Sequence, residues 1–321
     1  MLTCFSVMQK QLSYFLARAQ IPLQWVHSNE ETEDPNAPPI QDDDVLRALG
    51  NAHLSKHFRN FGKAVGVEEP RLVEDIYKVH LENSARAGSA TATIDSARDN
   101  LATTFVNAFV NAGFGNDKLL VGAEEGSSWI YKNRDTGMKS ATASIGLSML
   151  WDSESGIDLI DKYSYSSEEN IKAGAFLATG ILHTGLRGDP DIAWALLEEH
   201  IESQSLPLKI AAMNGTAVSH AGWHRQDIAE TILPHVADEN NTMEVAAMAA
   251  LTLGFVFVGS GDGEIASTIL QSLMEREDSQ LDSEWALFMS LALGLIFLGT
   301  SPHFTPISAG IIQRRDADCY R

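Results

Sequence analysis

The chain has 321 residues and a formal net charge of −20, with 43 acidic against 23 basic side chains. A surface of this sign repels the phosphates of nucleic acids and attracts basic proteins, so nucleic-acid binding is not expected. Only Cys4 and Cys319 could form disulfides or bind zinc through thiolates, which argues against both and fits a reducing compartment. The N-terminus lacks the apolar core of a secretory signal, and the longest apolar stretches fall short of the roughly 20 residues that span a bilayer.

The sequence divides into a helical first part and a second part made of regular repeats. We predict an N-terminal helix over 1–27, an acidic and Pro-rich exposed linker over 28–44, and a helical lead-in region over 45–136. Helical repeats, about four and a half of them, are predicted over 137–300. Residues 301–321 contain two prolines and no amphipathic helix, and we interpret them as an irregular, aberrant tail.

The lead-in region shows helical periodicity but no strand-like alternation. Residues 45–66 and 70–83 are predicted to be helices separated at Pro70, and Asp95 is predicted to cap a third helix that ends near Ala112. Phe105, Phe109 and Val110 are expected on the buried side of that helix. The predicted fold class is therefore all-α.

A small-residue helix ending in Gly-x4-Gly recurs through the second half of the chain. Its clear copies end at Gly185, Gly259 and Gly299, and two degenerate copies end at Trp151 and Gly222. A spacing of about 35 to 40 residues is typical of a two-helix unit that stacks on its neighbours. Such arrays present an extended surface rather than one closed pocket, which favours binding over catalysis.

Each repeat pairs a helix of small residues with an amphipathic helix. The small-residue helices contain Gly180 and Gly254, and because glycine weakens a helix interior, we expect neighbouring backbones to approach closely there. The second helices, over 190–203, 225–237 and 263–277, carry apolar residues on one face and carboxylates on the other. The sequence therefore predicts an inner layer of small-residue helices and an outer layer of acidic ones.

Two stretches carry a family resemblance, Ile94–Leu120 (IDSARDNLATTFVNAFVNAGFGNDKLL) and Trp129–Asp152 (WIYKNRDTGMKSATASIGLSMLWD). With Asp75-IYKVHLEN and Ile160-DKYSYSSEE, they resemble the ubiquitin-receptor scaffold subunits of the 26S proteasome regulatory particle, the large non-ATPase subunit two of its base. The resemblance implies proteasome/cyclosome repeats in a toroid of two concentric helix layers and a chain without enzymatic activity. It also implies docking to the proteasomal ATPase ring and other regulatory-particle subunits, in the cytoplasm and nucleus, without nucleic acid or membrane as a partner.

The resemblance further implies a first site for ubiquitin chains and for the ubiquitin-like domains of shuttle factors. It maps to the outer helix after Gly263, at Glu264, Gln271 and Glu275, which lie within about 20° of one line on a helix. Gln271 stands where well-known members have an acid. Asp227 and Glu230 on the preceding outer helix are candidate contributors, and a third helix of this site would follow Gly299.

A second site, which in the family binds a deubiquitinase, maps to the first repeat at Asp152, Glu154 and Asp158. No metal or cofactor is predicted, since His220 and His224 have i,i+4 spacing but no third ligand at a recognisable interval. The segment 261–264 is interpreted as a turn between helices, with Asp262 near the N-cap, rather than as a calcium or phosphate loop.

Two other function classes remain open from the residues alone. An α/α-toroid enzyme such as a glycosidase would use paired carboxylates, but these would lie on the inner helices rather than on the outer ones. A generic HEAT-like adaptor with unrelated cargo differs from the leading hypothesis only in the two stretches that carry the resemblance.

Overall fold

The computed structural model describes residues 43–67, 69–71, 96–122, 126–188 and 191–300. The predicted N-terminal helix, most of the acidic linker, most of the predicted helix over 70–83 and the tail over 301–321 lie outside these ranges. All regular structure within them is helical, and none of the helices there is long and apolar enough to cross a membrane. The all-α prediction is confirmed. The helices are α1 Asp43–Leu49, α2 Leu54–Ala64, α3 Ser96–Val110, α4 Gly126–Lys132, α5 Thr136–Ser148, α6 Ser153–Ser164, α7 Glu169–Leu182, α8 Ile192–Ile201, α9 Leu206–Ser219, α10 Gln226–Ala237, α11 Met243–Val256, α12 Gly263–Glu275, α13 Asp278–Leu281 and α14 Trp285–Ile296.

The lead-in segment predicted as one helix over 45–66 consists of two helices, α1 and α2. Asn51 lies between them in the left-handed region, with φ 60°, which a continuous helix does not allow. Its side-chain amide donates to the carbonyl of Gly185, 3.0 Å away, and the backbone N–H of Arg187 donates to the carbonyl of Gly50. The break therefore lets the segment contact the end of α7.

Contacts divide the chain into two compact units, Met1–His220 and Ala221–Arg321. In the first unit, the small-residue helices α5, α7 and α9 pack side by side. A Cβ added at Gly146 would lie 2.3 Å from the Ala178 carbonyl oxygen, and one added at Gly180 would lie 2.3 Å from that of Gly215. These distances are far below any van der Waals contact, so the close backbone approach predicted at Gly180 is confirmed.

The second unit repeats this packing with α11 against α14, while α10 and α12 form an outer layer. A Cβ added at Gly254 would lie 2.8 Å from the Cα of Ala292, as the sequence predicts. The outer helices pack through their aliphatic stripes, with Ile228, Ile232 and Ile269 fully buried. The predicted distinction between inner and outer helices is therefore present in this unit.

All five predicted repeat ends adopt the left-handed conformation that ends a helix. Their φ values are 68° at Trp151, 74° at Gly185 and Gly222, 73° at Gly259 and 75° at Gly299. Glycine adopts this conformation without steric cost, whereas Trp151 does so with a Cβ. The periodic landmark in the sequence therefore marks a real backbone feature.

Three of these ends, together with Gly113, also connect successive inner helices through backbone hydrogen bonds. In each case the N–H of the left-handed residue donates to a carbonyl at the end of the next inner helix. These bonds join Gly113 to Leu147, Trp151 to Leu182, Gly222 to Phe255 and Gly259 to Leu295, at 3.0, 3.0, 3.0 and 2.9 Å. Because Gly113 follows α3, the connection begins one helix earlier than the repeats identified in the sequence.

The buried side of α3 differs from the prediction. Phe105 is 45% exposed and Phe109 is 71% exposed, so the expectation that these rings face the core is wrong. Instead, Thr104, Asn107 and Ala108 are buried, on a helix that packs against α5. The hydroxyl of Thr104 donates to the backbone of Asn100 and accepts from the Trp129 indole, so α3 packs through small polar groups, like an inner helix.

Candidate protein-binding surface

The start of α12 is fixed by a side-chain cap. One carboxylate oxygen of Asp262 accepts from the backbone N–H groups of Glu264 and Ile265, both at 3.0 Å. This arrangement satisfies donors that the first turn of a helix leaves unpaired. The predicted N-cap is confirmed, and it fixes where α12 begins.

One side of α12 is buried and the opposite side carries the residues of the predicted first site. Ile265 and Ile269 are 3% and 0% exposed, whereas Glu264, Gln271 and Glu275 are all exposed. The Gln271 side chain donates from Nε2 to Glu275 Oε1, 2.8 Å away. The structure therefore places the three residues on one exposed side of α12 and joins two of them.

An exposed methionine beside this line was missed by the sequence reasoning. Met274 is 78% exposed, the most exposed large apolar side chain on α12. It precedes Glu275 and lies about 80° around the helix from the Glu264 line. The signal was present, since Met274 falls outside the buried stripe of Ile265 and Ile269. α12 thus combines carboxylates with an adaptable apolar side chain.

The C-terminal end of α12 opens on a polar cleft of 290 Å³. Arg276, in its lining, donates to the carbonyl oxygens of Asn241 at 2.9 Å and Glu239 at 3.4 Å. The guanidinium thereby connects the end of α12 to the turn that follows α10. Glu275 and Glu277 also line the cleft, so the acidic character of α12 continues beyond its last turn.

The preceding outer helix contributes Asp227 and Glu230, both exposed. Arg225 donates to the carboxylate of Asp227 through Nε at 3.0 Å and also through Nη2. Burial acts to raise the pKa of Asp227, but the hydrogen bonds and charge of Arg225, together with backbone N–H donors, outweigh it and lower the pKa. Asp227 is therefore a charged but paired carboxylate. α10 packs against α12, so both acidic helices belong to one layer.

The three residues of the predicted second site have different surroundings. Asp152 is the N-cap of α6, accepting from the Ser155 N–H, and its carboxylate is 2.6 Å from Nη2 of Arg59. Its side chain is only 17% exposed, whereas Glu154 and Asp158 are exposed. Asp152 therefore supports the helix start, and the carboxylates that face solvent at this position are the other two.

The two histidines with metal-like spacing have separate partners. His220 is 2.7 Å from Asp191 Oδ2 through Nε2 and 2.7 Å from Ser219 Oγ through Nδ1. His224 lies 3.0 Å from the carbonyl of Val258. In the ranges that the structure describes, no three His, Cys, Asp or Glu side chains form a metal-binding group.

Ser219, His220 and Asp191 are hydrogen-bonded in series, like the serine, histidine and aspartate of a hydrolase triad. The surroundings of the serine differ from those of a catalytic one. Ser219 is 3% exposed, and its hydroxyl donates to the Gly215 carbonyl at 2.9 Å. A buried hydroxyl that is already donating to backbone is inaccessible to a substrate. These groups instead connect the start of α8 to the end of α9.

Comparison with known proteins agrees with the family resemblance. A family model described as the RPN1 N-terminal domain matches residues 3–82. The chain is 45% identical over 293 residues to the 26S proteasome regulatory subunit rpn1 of Schizosaccharomyces pombe. It is 40% identical over 295 residues to rpn-1 of Neurospora crassa, and each match covers 91% of this chain.

Over most of its length the chain is similar to Rpn1 proteins, which are named as proteasome regulatory subunits. The 26S proteasome non-ATPase regulatory subunit 2 of Dictyostelium discoideum is also similar, with 41% identity over 80% of this chain. The chain spans about a third of the length of these Rpn1 relatives, 31% in the two fungal proteins and 28% in the Dictyostelium one.

Proposed function

We propose that this chain is part of a non-catalytic proteasome scaffold that binds ubiquitin chains and ubiquitin-like domains through its acidic outer helices. The observation that carries the proposal is the exposed side of α12, where Glu264, Gln271 and Glu275 lie beside Met274. Similarity to Rpn1 proteins over 91% of the chain supports a role in the proteasome.

The chemistry of α12 suits a partner whose apolar patch is ringed by arginine and lysine, as on ubiquitin. Exposed carboxylates attract the basic ring and accelerate encounter, while Met274 can pack on the apolar centre. Gln271 supplies an amide where a carboxylate would add attraction, and its hydrogen bond with Glu275 orients that carboxylate. Glu230 on α10 lies on the same layer and extends the acidic surface.

The distribution of carboxylates favours a scaffold over the alternative of an α/α-toroid enzyme. In the inner helices α5, α9 and α14 there is no Asp or Glu, and α7 and α11 carry Glu169 and Glu244 only in their first turns. Paired carboxylates in the inner layer would be needed to protonate a leaving group and activate water. Similarity to proteins named as regulatory subunits supports the same choice over a generic HEAT-like adaptor.

The further partners in this proposal are the proteasomal ATPase ring, other regulatory-particle subunits and a deubiquitinase near Glu154 and Asp158. The proposed location is the cytoplasm and nucleus. Co-purification of proteasomal ATPases with the tagged chain from cells would test the assembly part of the proposal, and their absence would contradict it.

The binding part is tested by reversing the charge on α12. The variant Glu264→Arg with Glu275→Arg changes this surface by four charge units, while the buried Ile265 and Ile269 are unaltered. We expect binding of purified tetraubiquitin, measured by biolayer interferometry, to weaken at least about tenfold, since loss of 1.4 kcal/mol has that effect. Gln271→Glu in the parent chain should tighten binding.

The matched control is Glu198→Arg with Glu199→Arg, which makes the same charge change on exposed residues of α8. It should leave the affinity within about twofold, since it alters net charge but not the site. Equal loss in both variants would mean that binding follows net charge alone. No loss in either would contradict the assignment of α12.

A further inference from the structure

The polar cleft at the C-terminal end of α12 contains a buried hydroxyl without a hydrogen-bond partner. Ser272 is 4% exposed and lies in the cleft lining. On the preceding turn, Ser267 and Thr268 each donate their hydroxyl to the carbonyl of Glu264. The Ser272 hydroxyl makes no such bond with any residue that the structure describes. Because burial of an unpaired hydroxyl costs free energy, a polar group that enters the cleft gains by pairing with it.

Three carboxylates line the same cleft. Glu239, Glu275 and Glu277 are all exposed, and within the described part of the chain none of them forms an ion pair with a basic side chain. Glu275 accepts from the amide of Gln271, which is a neutral donor. The cleft therefore attracts positive charge and also offers a hydroxyl in its wall.

The positive charge already present in the lining is bound to backbone rather than to these carboxylates. The guanidinium of Arg276 donates to the carbonyl oxygens of Asp238 at 3.4 Å, Glu239 at 3.4 Å and Asn241 at 2.9 Å. These bonds hold the guanidinium against the turn that follows α10. The lining thus carries three negative charges against one positive charge, so it favours a cation over an anion.

A cationic side chain fits this cleft better than a metal ion. In the ranges that the structure describes, no three His, Cys, Asp or Glu side chains lie close enough to hold a metal. An ammonium or guanidinium group instead donates several hydrogen bonds to separate acceptors, including a hydroxyl. Met274 precedes Glu275 and is 78% exposed, so it can contact the aliphatic part of the same side chain.

We propose that this cleft receives one lysine or arginine side chain of the protein bound by α12. The charged group donates to the hydroxyl of Ser272 and to the carboxylates of the lining, and its aliphatic part packs on Met274. The inference rests on the proposed function, in which α12 binds a protein with basic residues around an apolar patch. It adds a single anchored side chain to a contact otherwise made by exposed charges.

The cleft can be tested with the side chain alone. Nα-acetyl-lysine methylamide or Nα-acetyl-arginine methylamide should shift the methyl NMR signal of Ala237, which lines the cleft, saturably in the full chain. Nα-acetyl-citrulline methylamide, which has the shape of the arginine compound without its charge, should not. A stronger response to one basic compound identifies lysine or arginine as the preferred side chain. No shift with either, or an equal shift with the citrulline compound, would overturn the proposal.

Removal of the hydroxyl separates binding from stability. Ser272→Ala should weaken binding of the basic compound at least about tenfold, because a hydrogen bond to a charged group is lost. It should not lower the melting temperature, since an unpaired buried hydroxyl is replaced by a residue that favours helix. Binding unchanged by this substitution would contradict a role for Ser272.

The contribution of charge is tested with a matched pair of variants. Glu239→Gln removes a carboxylate of the lining and should weaken binding of the basic compound about threefold. Glu284→Gln removes the same charge from an exposed residue outside the lining and should leave the affinity unchanged. Equal effects of the two variants would mean that the compound responds to net charge rather than to the cleft.

Binding of tetraubiquitin distinguishes this inference from the proposed function. Ser272→Ala should weaken tetraubiquitin binding at least about threefold, because the anchored side chain loses a partner. If parent and variant bind tetraubiquitin equally well, α12 binds without the cleft, so the inference is overturned while the proposed function stands. If the basic compounds bind in the cleft and tetraubiquitin does not bind the parent, the proposed function fails and the cleft serves another basic protein.

Discussion

The buried imidazole of His183 makes the stability of the fold sensitive to acid. His183 is 7% exposed, and burial lowers its pKa, more strongly than the Thr179 carbonyl and the charge of Asp191 raise it; the charge of His220 lowers it further. Its Nδ1 lies 2.8 Å from the Thr179 carbonyl, while its Nε2 has no hydrogen-bond partner. A second proton on this ring would therefore be buried without an acceptor.

The folded chain is predicted to lose stability below about pH 6.5, the ordinary pKa of histidine. With its pKa lowered in the fold, His183 binds a proton more readily in the unfolded chain, so its contribution is complete above pH 6.5 and is lost as the pH falls toward the folded value. His183→Gln should reduce the slope of unfolding free energy against pH by at most about 1.4 kcal/mol per pH unit. Urea unfolding of the parent and of the variant at pH 7.5 and pH 5.5 measures the two slopes. Equal slopes in the two proteins would contradict the prediction.

At the scale of helices, the sequence predicted the inner layer well and the lead-in region poorly. Gly180 and Gly254 were informative because glycine in a helix interior has a cost that close backbone contact explains, and both make such contacts. Phe109 misled because large apolar residues usually mark the buried side, whereas α3 packs through Thr104 and Asn107. Hydrophobic periodicity does not identify a helix whose contact surface is small and polar.

The candidate site was predictable only in part, for a related reason. The exposed side of α12 follows from its heptad-like apolar stripe, and Asp262 is a recognisable cap. The pairing of Asp152 with Arg59 joins residues 93 positions apart, and no local pattern indicates such a contact. Long-range ion pairs of this kind decide which carboxylates face a partner, so they limit what sequence alone can assign.

A pair of alanine substitutions tests the packing of the inner helices. Gly180→Ala places a methyl 2.3 Å from the Gly215 carbonyl oxygen, so it should destabilise the chain by about 1–3 kcal/mol. Gly294→Ala meets nothing within 4 Å and should stabilise α14 by up to about 1 kcal/mol through helix propensity. The melting temperatures of the two variants, measured at dilute concentration, give the sign of each stability change. A higher melting temperature for Gly180→Ala would show that α7 and α9 lie further apart.

For the whole molecule, the dominant property is a net charge of −20 that is unevenly distributed. The outer helices α10 and α12 carry exposed carboxylates such as Glu230 and Glu264, whereas α14 carries no charge. The described residues therefore present an acidic surface on the outer helices and an uncharged one on α14. The proposed basic partner is attracted by the net charge.

The proposed interaction with a basic partner should consequently weaken as salt rises. Screening beyond about 8–10 Å near physiological ionic strength weakens attraction between the acidic outer helices and a basic ubiquitin-like domain, so that affinity should fall as salt rises. Titration calorimetry with the ubiquitin-like domain from about 0.05 to about 0.5 M NaCl measures this dependence. Binding of the domain without a salt dependence would indicate an apolar contact around Met274 rather than charge.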